Sequence, residues 1–111
     1  MSSSTNDVAS TAAQQIDIDE TINRLSSKKG VECVTILTKD GRVIRTTATA
    51  EHSELQGKLL SKLVRDAADI VKELESDDEL SFLRIRTKRH EIMLALDHNY
   101  LLVIVQSPQK E

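Results

Sequence analysis

The segment from Leu80 to Pro108 reads LSFLRIRTKRHEIMLALDHNYLLVIVQSP and contains three apolar runs separated by two short polar breaks, TKRH and DHN. Runs of about five to seven residues rich in Leu, Ile and Val, bounded by turn-forming residues, predict strands. Three of them in close succession predict a meander. The runs differ in an informative way. In LSFLRIR, Arg84 and Arg86 stand two apart, so one face of that strand meets water. In YLLVIV, Tyr100 to Val105 carries no charge, which predicts a strand covered on both faces in the middle of a sheet. The rest of the chain must pair with this meander or pack on it.

Upstream, residues 1–15 (MSSSTNDVASTAAQQ) are small and polar without apolar periodicity, and are expected to form a flexible tail. IDIDETINRLSSKKG predicts a short helix. Asp17 and Glu20 suit a capping box, Ile18, Ile22 and Leu25 share one face, and Lys28 and Lys29 sit in the last turn before a left-handed exit at Gly30. Val31 to Leu37 is a β-branched run, Asp40-Gly41 predicts a two-residue type I′ hairpin, and Arg42 to Thr47 is the return strand.

From Ser53 to about Glu75 the period changes to that of a helix, with Ser53 and Gln56 as a second capping box. Its apolar residues, Leu55, Leu59, Leu60, Leu63, Val64, Ala67, Ile70, Val71 and Leu74, fill an arc of roughly 180°, whereas a helix on a sheet needs only about 100°. A second subunit is the favoured cover for the excess, the short first helix the alternative. Gly57 and Ala68 flank the arc, where small side chains admit a second backbone. ESDDE is then a charged break. The expected fold is α+β: a five-stranded, mainly antiparallel sheet with one short N-terminal helix and one long crossover helix, over residues 16–108.

At 111 residues the chain makes one domain. A net charge of −3 and 2% aromatic residues give neither the electrostatic footprint nor the stacking platform of a nucleic-acid binder. No apolar run approaches the length of a membrane span. Absence of a basic or apolar leader, with the lone Cys33 reading as a buried inert thiol, points to the cytosol or nucleus.

No set of polar groups predicts an enzyme. There is no nucleophile elbow and no phosphate loop, and His52, His90 and His98 lie at turns and a helix start, away from metal-ligand spacing. No cofactor or metal is expected. The cluster Arg84, Arg86, Lys88 and Arg89 suits an acidic peptide or a phosphate, although a solvated strand face with a charged turn is the simpler reading.

The pieces LSFLRIRTKRHEIMLALD and YLLVIVQ, supported by ETINRLSSKKGVECVTILTKDG, closely resemble the roadblock family of dynein light chains, over about Ile18 to Pro108. The chain departs from that pattern in its polar tail and at Leu96, where members often carry proline. The resemblance implies a non-catalytic light chain that pairs with itself or a paralogue by joining edge strands, with the long helices side by side. On this sequence the interface would comprise Leu80, Ser81, Phe82, Leu83, Arg84 and Ile85 with Leu60, Val64, Ala67 and Val71. A segment of the dynein intermediate chain would fold onto the helical surface at Gly57, Lys58, Ser61, Lys62, Arg65 and Ala68. The implied setting is the cytoplasm and cytoskeleton, in a dynein complex of microtubule transport or of the ciliary axoneme. Related roadblock-like domains are scaffolds or regulators of small GTPases, which is the alternative function.

Overall fold

The structure, a computed structural model, describes residues 18–108. The expected tail and the predicted cap Asp17 lie outside them. A helix over residues 18–26 (α1) is followed by β1 (Val31–Thr38), β2 (Val43–Thr46), α2 (Ala50–Leu74), β3 (Phe82–Arg86), β4 (Glu91–Leu96) and β5 (Tyr100–Gln106). The five strands form one sheet in the order β2-β1-β5-β4-β3, and every neighbouring pair is antiparallel. The uncharged run is the central strand, and the run bearing Arg84 and Arg86 is an edge. The α+β fold read from the sequence is the fold observed.

The register assigns each strand residue to a face. Thr46, Thr35, Val103, Leu94 and Leu83 form one row across all five strands. This face lies under α2. Val64 of α2 joins Leu37, Leu94, Leu101 and Val103 in the core, and α2 also rests on a polar chain. The Thr35 hydroxyl donates to Gln56 Oε1 at 2.8 Å, Thr46 Oγ1 lies 2.7 Å from Thr35 Oγ1, and Gln56 Nε2 donates to Cys33 Sγ at 3.4 Å. Since Thr35 spends its proton on Gln56, the Thr46 hydroxyl supplies the remaining one. Satisfied in this way, buried polar groups cost the core little.

Arg45, Ile36, Leu102, Ala95 and Phe82 form the corresponding row on the opposite face. This face carries α1, with Ile18 and Thr21 over Ile36 and an ion pair of 3.0 Å between Asp19 and Arg45. The two helices therefore lie on opposite faces of the sheet.

Local structure departs from the sequence reading in three places. Asp40 does not take positive φ; Gly41 alone does in this turn, at 97°. Gly41 N–H donates to Thr38 O, and Thr38 N–H to Arg42 O, so the hairpin has a three-residue loop with glycine in the left-handed position, not a type I′ turn. Secondly, α2 starts at Ala50 with Thr49 as cap, its hydroxyl accepting from His52 N–H at 3.1 Å. Ser53 and Gln56 are buried inside the helix–sheet interface and cap nothing. Thirdly, α1 stops at residue 26, and Gly30, with φ 88°, serves the turn into β1.

The hairpin loop also predicts a pH effect. The Thr38 hydroxyl donates to the Asp40 carboxylate, which lies 3.8 Å from Arg42, and that hydrogen bond above all lowers the Asp40 pKa from 3.8. A depressed folded-state pKa stabilises the fold above the unfolded value, and this contribution is lost as pH falls through the folded value. Asp40→Asn should therefore flatten the acid limb of a stability-versus-pH curve measured by urea denaturation, leaving its shape near neutrality unchanged.

Candidate self-association surface

Between β2 and β3 the two edges of the sheet differ. All four residues of β2 are half-buried, whereas β3 alternates exposed and half-buried residues. Leu83 and Ile85 point to the α2 side and pack against the margin of the core. Phe82, Arg84 and Arg86 point to the other side and are exposed. No described element covers the outer backbone of β3, so its donors and acceptors form an open ladder.

α2 also shows water a stripe that belongs in a core. Leu55, Leu59, Leu63, Ile70 and Leu74 are exposed, Leu59 by 54% and Leu74 by 82%. Such a row along one helix is a larger apolar patch than scattered surface leucines make. The residues that face the sheet are instead small or polar: Ser53, Gln56, Gly57 and Ser61, with Val64. At Gly57 the helix backbone meets the β1–β2 loop, where a Cβ would lie 2.1 Å from Gly41 O.

An open cleft of about 650 Å³ separates the first half of α2 from the sheet. Leu55, Leu59, Leu60, Ile92 and Val105 line it, Cys33 lies at its floor, and His52, His90 and Glu32 stand at its rim. His90 Nδ1 lies 3.0 Å from Glu32 Oε1. Among the described residues no group of three or more His, Cys, Asp or Glu is placed to hold a metal ion. No helix among them is long and apolar enough to cross a membrane.

The roadblock/LC7 domain family model matches residues 17–107. The chain belongs to the roadblock/LC7 family. Solved roadblock folds resemble it in architecture. A roadblock/LC7 domain from Streptomyces avermitilis shares 9% identity at TM-score 0.69, over 75% of this chain and 71% of that one. MglB of Myxococcus xanthus shares 14% at TM-score 0.71, over 86% and 79%. An MglB described in a tetrameric arrangement shares 13% at TM-score 0.68, over 79% and 68%. At such identities the likeness is one of fold.

Within this roadblock domain the residues singled out from the sequence separate into groups. Leu80, Leu83 and Ile85 lie on the α2 side, half-buried at the core margin, and Ser81, Phe82 and Arg84 are exposed near the open edge. Val64 is a correction: it is 7% exposed and packs on this chain's own sheet, which leaves nothing for a partner to bury. Leu60, Ala67 and Val71 are half-buried on the same inward side. Gly57 and Ser61 are corrected likewise, because the β1–β2 loop already occupies them. Lys58, Lys62 and Arg65 are exposed, and Ala68 is half-buried. The stripe from Leu55 to Leu74 was missed as a unit, since a wide apolar arc does not say which part faces inward. The small residues Ser53, Gly57 and Ser61, spaced by four, were the signal for the inward side.

Proposed function

We propose that this roadblock domain is a non-catalytic assembly module that works as a two-fold dimer. The open β3 edge, together with a bare leucine stripe on α2, carries the reading. Pairing β3 with β3 of a second copy satisfies the backbone groups of both edges at once. It also brings the exposed stripe of α2, with Leu83 and Ile85, against its counterpart. The joined helices then offer a continuous platform flanked by Lys58, Lys62 and Arg65.

For the partner on that platform, a small GTPase held or regulated by the dimer is the reading that the comparisons support better. The solved neighbours named above are MglB proteins and a Streptomyces roadblock domain, not dynein light chains. The dynein intermediate chain remains the second reading, on the strength of one observation: the continuous stretch LSFLRIRTKRHEIMLALD, in register across β3 and β4. Under either reading the dimer holds two copies of a partner together, raising their effective concentration for further contacts.

Size-exclusion chromatography with light scattering tests this directly, on the chain alone and mixed with nucleotide-loaded small GTPases or an intermediate-chain fragment. A dimer that co-elutes with a GTPase supports the first reading, and one that co-elutes with the fragment alone supports the second. A monomer at micromolar concentration overturns the proposal.

A further inference from the structure

The backbone of β3 has a fixed phase. Thr87 N–H donates to His90 O at 2.8 Å and Leu96 N–H donates to Ser81 O at 3.0 Å, at the two ends of the β3–β4 ladder. Hydrogen-bonded pairs alternate along an antiparallel ladder, so residues 81, 83, 85 and 87 turn their backbone groups toward β4. Phe82, Arg84 and Arg86 therefore turn theirs outward, where a neighbouring strand can meet them.

Symmetry restricts that neighbour. When a strand pairs antiparallel with its own copy, the two-fold axis stands perpendicular to the sheet and one residue lies opposite itself. The five residues of β3 give five such centres, and these are unequal. An axis at Arg84 matches the whole strand, Phe82–Arg86, with its counterpart. The three outward residues then form three pairs that each exchange two hydrogen bonds, six in all. An axis at Leu83 or Ile85 matches three residues and gives four bonds, and one at Phe82 or Arg86 matches a single residue.

The side chains agree with the ladder. On the α2 side, an Arg84 axis sets Leu83 opposite Ile85 of the second copy, and the reverse, whereas an axis at Leu83 leaves Ile85 opposite Ser81. On the other face Phe82, 48% exposed, gains the aliphatic stem of the second copy's Arg86, an arginine already engaged within its own chain. One contact opposes this register, because Arg84 faces its own copy. Like charges directly opposite weaken pairing by up to about fivefold, and Glu91, 3.6 Å from Arg84 Nε, offsets part of that. Each added backbone hydrogen bond strengthens pairing by about the same factor, so two of them outweigh one arginine pair. An axis at Ile85 does worse on both counts, since it sets Arg84 opposite Arg86 twice.

We propose that β3 joins a second copy about a two-fold axis through Arg84, so that the one repulsive pair of the joined edge lies at its centre and the strand fits best a copy bearing an acid there. This rests on the dimer proposed above and assigns its register. Light scattering on the full chain comes first: a monomer overturns the dimer and the register together, and a dimer leaves the register to two tests.

In the first test, Leu83→Cys, Arg84→Cys and Ile85→Cys are each treated with diamide, which takes one hydrogen from each of two thiols and leaves a disulfide between copies. The native Cys33 is buried. Residues opposite one another in a hydrogen-bonded pair have Cα atoms about 5.5 Å apart, within disulfide reach, whereas positions two residues out of register lie about 7–8 Å apart, beyond it. Arg84→Cys alone should give a covalent dimer. An intact dimer that cross-links through Leu83→Cys or Ile85→Cys instead, or through none of the three, overturns the register and leaves the dimer standing.

In the second, native mass spectrometry follows Arg84→Glu mixed with the unmodified chain. With residue 84 on the axis, the squared mixed dimer over the product of the two pure dimers should exceed its statistical value at least about fivefold. Any change within the single chain, where Arg84 meets Glu91, cancels in that ratio. An axis at Leu83 sets residue 84 opposite Phe82 and leaves the ratio statistical. An axis at Ile85 makes Arg84→Glu pair with itself more tightly than the unmodified chain does. Either of these results overturns the proposal.

Discussion

Replacing Gly57 by alanine is expected to lower the melting temperature by roughly 10–20 °C, a loss of about 2–3 kcal/mol. At an exposed helical site the same change stabilises by about 1 kcal/mol, because alanine is the better helix former. Here the sign reverses. The new Cβ would sit 2.1 Å from the carbonyl oxygen of Gly41, a backbone atom held by the hairpin hydrogen bonds of Thr38. Nothing flexible is available to move, so either α2 lifts from the sheet or the loop opens. Gly30→Ala is the informative contrast. That residue has φ 88° but no neighbour within 4 Å of its Cβ position, so only the left-handed strain of about 1 kcal/mol applies. Thermal denaturation of the two variants separates collision from conformation, and equal losses would show that the close approach at Gly57 contributes nothing.

The second large effect concerns association. Leu59→Asp combined with Leu63→Asp should raise the dimer dissociation constant about a thousandfold or more. Each leucine buried in an interface contributes about 2 kcal/mol, and a carboxylate placed there costs more. Both side chains project into water in the single chain, so its own fold is spared. Sedimentation equilibrium should then show monomers with an unchanged circular dichroism spectrum. An undiminished dimer would mean that α2 does not form the interface. Leu83→Asp is a poorer probe, because Leu83 packs on the core margin beside Leu94, and its replacement confounds folding with association.

The strands were legible in the sequence because each is a single apolar run closed by a turn, and the uncharged run from Tyr100 had only one place to go, the centre. The long helix was legible as a helix but not in its rotation. Hydropathy assigns Leu55, Leu59 and Ile70 to the inside, yet these residues face water and Ser53, Gln56 and Ser61 face the sheet. The reason lies on the other element. Thr35 and Thr46 make that part of the sheet polar, and Gln56 is the residue that can bond to it. Such a match between two distant segments has no local signature. The hairpin type was misread for a similar reason. Asp-Gly suits two loop lengths equally well on local grounds, and the contact of Gly41 with Gly57 accompanies the longer one.

The inequality of the two sheet edges governs valency. A sheet with two open ends can add copies indefinitely and grows into a fibre. Here β2 is four half-buried residues, flanked by the Asp19–Arg45 bridge on one face and approached by α2 on the other. In the proposed dimer β3, the longer and more exposed edge among the described residues, accepts the neighbour, and when two such edges meet the shorter β2 is what remains outermost. Under that proposal the short β2 would act as a chain terminator, ending assembly through the sheet at two and leaving further growth to whatever the dimer holds.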